Sequence, residues 1–156
     1  MCATADGKRM RALRCKGVSQ VEAVVIVTMI GIVAAFAIPR FTHLQNDVRA
    51  SEVVALSMNL RSAAESAHAQ YLRSGSMSAT VAGRPVRLKY GYPDATSFGI
   101  QRAVVDAVDF MASASTNSVT YSKHDAPTAA ECGVTYNASP APSSPATVTD
   151  LKTAGC

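Results

Sequence analysis

The sequence predicts an α+β protein in which one long N-terminal helix, first hydrophobic and then amphipathic, packs on a small antiparallel-sheet head with a second short helix. Three observations lead there. Residues 18–38 are almost wholly apolar, residues 53–71 repeat apolar side chains at three- and four-residue steps, and several stretches beyond residue 84 alternate in the two-residue period of strands. At 156 residues, 48% of them hydrophobic and only 6% aromatic, the chain has the size of one domain with one small core.

Residues 1–17 form a basic leader. Lys8, Arg9, Arg11, Arg14 and Lys16 against Asp6 account for the whole formal charge of +4, so residues 18–156 balance. A cationic excess confined to the flank of an apolar run is a topology signal and argues against a nucleic-acid surface. The same asymmetry divides the cysteines. Cys2 and Cys15 lie in the leader, whereas Cys132 and Cys156 lie 24 positions apart in a region that the leader leaves on the non-cytoplasmic side. An oxidising compartment favours a bridge between that second pair, worth roughly 3 kcal/mol by loop closure; two separate thiols are the alternative.

The run from Val18 to Ile38 is 21 residues, about 31 Å as helix, which matches a hydrocarbon core of about 30 Å. Three readings compete. The run is a plain signal anchor, or it is a secretory signal peptide cut at Ala35-Phe36-Ala37, an A-x-A site. The signal-peptide reading has to place Glu22, an ionisable group, inside the hydrophobic region and gives no reason for the helical pattern that continues past the cut; in the plain anchor Glu22 is a tolerated glutamate near the interface.

The third reading rests on Gly17 followed by Val18-Ser19-Gln20-Val21-Glu22 and the apolar stretch, which resembles the type IV prepilin signature. That resemblance implies a prepilin peptidase cutting after Gly17, a new and usually N-methylated terminus at Val18, and retention of the apolar helix. Glu22 then stands one turn from the Val18 amine, at the spacing that places two groups on one helix face. A carboxylate in the first turn also suits the helix dipole. In an apolar surrounding a lone charge costs about 2.5–3.5 kcal/mol on insertion scales, so it needs a partner, and a neighbouring subunit's Val18 amine is one. A start at Met10 would leave an eight-residue leader ending at Gly17, the expected start.

Residues 18–39 are therefore expected to be the transmembrane or filament-core half of the helix and 40–74 its amphipathic half. Val53, Leu56, Leu60, Ala63, Ala64, Ala67 and Tyr71 line one face, with Arg49, Glu52, Arg61 and Glu65 mostly away from it. The helix should stop near Arg73, before Ser74-Gly75-Ser76, giving a rod of about 84 Å. Pro39 cannot bond Ala35, so a kink is expected there.

Residues 75–156 are expected to be the head. Arg84 to Tyr90 alternates like a strand, Gly91-Tyr92-Pro93-Asp94 reads as a turn, and Ile100 to Met111 has helical spacing through Val104, Val105 and Val108. Strands are expected at 118–122, 133–137 and 147–151, with a Ser/Pro/Ala loop at 138–146. The stretches "AIPRFTHLQNDVRAS", "AHAQYL" and "GRPVRLKYGYPDATSFGIQRAV", with Cys132 and the final Gly155-Cys156, are similar to the mannose-sensitive haemagglutinin type of type IV pilin. This implies the type IV pilin fold, a precursor spanning the inner membrane with a cytoplasmic N-terminus, and export into an extracellular fibre used for adhesion or motility. The implied partners are the prepilin peptidase, further copies of the chain, the inner-membrane assembly machinery and the membrane itself, and no residue is assigned to a surface ligand. A type II secretion pseudopilin is the alternative within the superfamily, although residues 126–156 hold only Glu131 and Asp150 of the carboxylates a calcium loop would need.

An anchored enzyme or sensor is the remoter class. His43, His68 and His124 have no metal-ligand spacing, and neither a G-x-S-x-G elbow nor a phosphate loop occurs. No catalytic residue, metal or cofactor is expected. Tyr90, Tyr92 and Tyr121 are read as packing residues before an adhesive surface.

Overall fold

The computed structural model describes residues 19–156, and of 37–43 the backbone alone. The fold is α+β, with one long helix and two antiparallel sheets. Two compact units divide at Phe41 and Thr42. Helix α1 (Gln20–Ser74) supplies the described part of the first unit and the opening element of the second.

In the first unit the helix begins with the Ala23 amide bonded to the Ser19 carbonyl at 2.9 Å. Val21, Val27, Ile30, Val33 and Phe36 are each more than 60% exposed, and steps of 100° put them around the helix rather than on one stripe. Pro39 lies within the helical run. Residues 37–43, where the kink is expected, are described as helical backbone alone.

In the second unit the amphipathic stripe behaves as its spacing demands. Val53, Leu56, Leu60, Ala63, Ala64 and Ala67 are all buried in one core with residues of both sheets, and Tyr71 packs at its margin. The helix ends one residue beyond the expected Arg73, where the Gly75 amide bonds the Tyr71 carbonyl at 2.7 Å.

The first sheet runs β1 (Ser78–Val81), β2 (Arg84–Lys89) and β3 (Tyr92–Pro93) in that order. Both hairpins close through two residues of positive φ, Ala82-Gly83 at 50° and 76° and Tyr90-Gly91 at 55° and 83°. Such a pair matches the right-handed twist of the flanking strands, and glycine is the residue that adopts it without strain. The expected turn over Gly91 to Asp94 is thus shifted: the chain reverses at Tyr90-Gly91, and Tyr92-Pro93 already pairs back with Leu88-Lys89. Strand β1 is not among the expected strands; its four residues alternate, with Ala79 and Val81 facing inward.

The expected helix from Ile100 to Met111 is corrected. Only Ile100–Ala103 is helical, as α2, and Val104 leaves it in an extended conformation, φ −102° and ψ 117°. Val105 and Val108 would have lined the same apolar face as Val104, yet they are 43% and 90% exposed. The run Val-Val-Asp-Ala-Val is rich in β-branched residues, which lose side-chain freedom in a helix. Pairing outweighs the periodicity: Phe110 to Ala114, part of it assigned to that helix, forms β4 with five residues in register on β5 (Ser118–Lys123). The second sheet continues in the order β4-β5-β6-β7, with β6 at Gly133–Asn137 and β7 at Thr147–Lys152, close to the expected spans. A short 3-10 turn, Ala129–Glu131, precedes β6.

Candidate functional site

Gly17 and Val18, the expected processing site, lie outside the described residues. Glu22 stands in the first turn of α1 and is exposed. Around it the first unit presents ten large apolar side chains to solvent, from Val21 to Phe36. Burying each such side chain stabilises by roughly 1.5–3 kcal/mol, so leaving ten in water forgoes tens of kcal/mol before entropy is counted. Among the described residues no helix is long and apolar enough to cross a membrane. The apolar run with described side chains extends from Gln20 to Phe36, and its expected ends, Val18 and Ile38, fall outside it.

Cys132 and Cys156 are joined by a disulfide, with Cα atoms 4.9 Å apart and both residues buried. The end of β7 and the segment after it are held against the 3-10 turn by further bonds. The Gly155 amide donates to the Glu131 carbonyl at 2.9 Å, the Thr128 amide donates to the Gly155 carbonyl at 3.2 Å, and Lys152 pairs with Glu131 at 3.0 Å.

A polar cluster that the sequence reading missed ties the second-unit part of α1 to the second sheet. Lys123, the last residue of β5, is 4% exposed, and its ammonium lies 2.7 Å from Glu52 and 3.8 Å from both Asp109 and Asp125. Desolvation pulls its pKa down, but the hydrogen bond and field of Glu52, joined by Asp109 and Asp125, outweigh it and the net shift is upward. Arg49 completes the cluster, 3.2 Å from Asp125 and 3.2 Å from the Cys156 carbonyl oxygen. Its hydrogen bond is the main reason the Asp125 carboxyl is held below its ordinary range. Arg49 and Glu52 therefore point into the head and not away from it, a correction to the helical-face reading. Only Arg61 and Glu65 are exposed as expected.

Of the two histidines whose side chains are described, one is packed and one is exposed. His68 stacks on Tyr92 with centroids 4.1 Å apart and meets the Gly91 carbonyl at 3.1 Å, and His124 is exposed. A Cβ on Gly91 would stand 2.5 Å from the Tyr71 ring, so that turn is also a close approach. Tyr121 is buried with its hydroxyl unpartnered among the described residues, whereas the Tyr136 hydroxyl donates to the Pro93 carbonyl at 2.8 Å. Burial raises the pKa of both phenols, with the field of Asp94 adding to it at Tyr136. Among the described residues no group of three or more His, Cys, Asp or Glu is placed to hold a metal ion.

No family model, curated protein or solved structure matches the chain. The chemistry of the chain itself therefore carries any functional reading. It offers an apolar helical surface with one glutamate at its start and, separately, a disulfide-closed head.

Proposed function

We propose that the chain is a structural subunit of a type IV pilus, of the mannose-sensitive haemagglutinin-like kind, made as a prepilin and polymerised into a surface fibre for adhesion or motility. The observation that carries this reading is the apolar start of α1, exposed along its described length, in the same helix that builds the core of a small α+β head. Such a surface requires an apolar environment, first the inner membrane and then the packed helices of other copies. Glu22 is the one described carboxylate in that segment, and the Val18 amine freed by cleavage after Gly17 is its electrostatic partner. The prepilin peptidase, the inner-membrane assembly machinery and other subunits are the partners this life cycle requires.

Mass spectrometry of the protein recovered from sheared surface filaments tests the reading. The expected N-terminus is Val18, methylated, and Gly17→Ala should leave uncut precursor in the inner membrane. An N-terminus at Ile38, or a protein absent from filaments, would remove the proposal.

A further inference from the structure

Between the two sheets the chain builds a small acidic projection. Val108 is 90% exposed, the highest value among the exposed large apolar side chains, and Asp106 and Asp109 flank it, both exposed. The projection is held firmly. Ala107 packs against the core, the Phe110 amide donates to the Ala107 carbonyl at 3.1 Å, and the His124 amide donates to the Asp109 carbonyl at 3.2 Å. Val108 and Asp109 are thus the tip of a closed turn. Asp106 has no cationic partner among the described residues, and Asp109 reaches Lys123 only at 3.8 Å.

The first sheet carries a groove of the opposite character. It holds about 350 Å³ and is lined by Ser78, Pro85, Val86, Arg87, Phe98 and Arg102. Phe98 is 54% exposed, the Arg102 guanidinium lies 4.9 Å from its ring centre, and its carbonyl accepts the Arg87 amide at 2.8 Å. Arg87 is already engaged by Asp94, but Arg102 has no carboxylate partner among the described residues. An aromatic floor beside an unpaired guanidinium is the composition of interface anchor points.

We infer that the Asp106–Asp109 turn of one copy seats in the Phe98/Arg102 groove of the next, with Val108 on the ring and Asp106 paired with Arg102. Charge complementarity selects a second copy as the occupant, and both surfaces are already fixed by backbone bonds, so little ordering is lost on contact. The two surfaces differ, so the contact is heterologous: each joined copy presents a free groove or a free turn, and in a fibre, where the rotation between copies does not close a ring, assembly propagates. This inference rests on the fibre reading and adds the head contact to it.

The full chain with Ser78→Cys and Val108→Cys, oxidised in sheared filaments, should run as a ladder of linked subunits on a non-reducing gel, with either single variant giving none. Arg102→Glu and Asp106→Arg should each lower filament yield about tenfold, and the two together should restore it. Filaments that contain the chain but give no ladder would overturn the contact and leave the fibre reading standing. A ladder that stops at dimers would overturn propagation through it. Filaments that hold a nucleic-acid strand only when Arg102 is present, again without a ladder, would assign the groove to a polyanion instead. Absence of the chain from filaments would remove the fibre reading and this contact with it.

Discussion

Lys123 illustrates how one residue can decide the pH response of a small core. Its folded pKa lies above the free value of 10.5, so the stabilisation from its ion pairs is complete below about pH 10.5 and is lost as pH rises through the folded value. Tyr121 and Tyr136 also bind their protons more tightly when folded, which adds to the same alkaline limb. Asp125 works at the other end: its pKa is depressed, so its contribution is present above about pH 3.8 and fades as pH falls through the lowered value. Each proton held only in the folded state gives a slope of about 1.4 kcal/mol per pH unit. Chemical denaturation between pH 9 and 12 should therefore show Lys123→Met with an alkaline slope smaller by up to one proton, the tyrosine share remaining. An unchanged slope would mean that Lys123 titrates as a solvated lysine. The position was legible in principle. Val119, Tyr121 and Lys123 share one face of β5, and two-residue parity sends Lys123 inward with the other two. Its carboxylate partners come from α1, the β4 approach and the segment after β5, and no local pattern reveals that meeting.

At the level of elements, legibility followed the length of the repeat. The stripe from Val53 to Ala67 spans four turns of α1, and every expected position is buried. The Ile100-to-Met111 pattern covers about three turns; only Ile100–Ala103 is helical, and pairing with β5 takes its end at Phe110 and Met111. Strand β1 is four residues long and depends on a device that no propensity reports. The Gln70 side chain, reaching from α1, donates to the Thr80 carbonyl at 2.7 Å and accepts from the Thr80 amide at 2.9 Å, imitating a neighbouring strand on the free edge of the sheet. Thr80 lies opposite Pro85, a register in which the missing proline amide is not needed for that pair. An unguarded edge is a template for further strands. Gln70→Leu should lose two bonds at roughly 0.5–1.5 kcal/mol each, lowering stability by about 1–3 kcal/mol. It should also increase self-association in light scattering at high protein concentration. Wild-type stability and dispersity in that variant would show that water serves Thr80 equally well.

For the whole molecule the two units answer different physical demands. The head buries its apolar stripe within its own chain and closes its end with the Cys132–Cys156 bridge, so it is complete as a folded object. The first unit leaves its described apolar residues uncovered, and on the proposed pilus reading lipid and then other copies cover them. Glu22 distinguishes these two surroundings. On that reading a single precursor in the bilayer would offer it no cleaved Val18 amine, whereas in a fibre the amine of an adjacent copy would pair with it. Glu22→Val removes the charge that hydrocarbon penalises, so membrane insertion and cleavage after Gly17 should persist at wild-type levels. If the Glu22–Val18 pair sets the axial register between copies, as proposed, the same substitution should leave filaments few or absent despite normal amounts of processed protein. Immunoblots of membrane fractions beside electron-microscopic filament counts separate the two effects. A wild-type filament count would make Glu22 a passenger in the apolar segment and place the register in the heads, where the Phe98/Arg102 groove and the Asp106–Asp109 turn would have to set it alone.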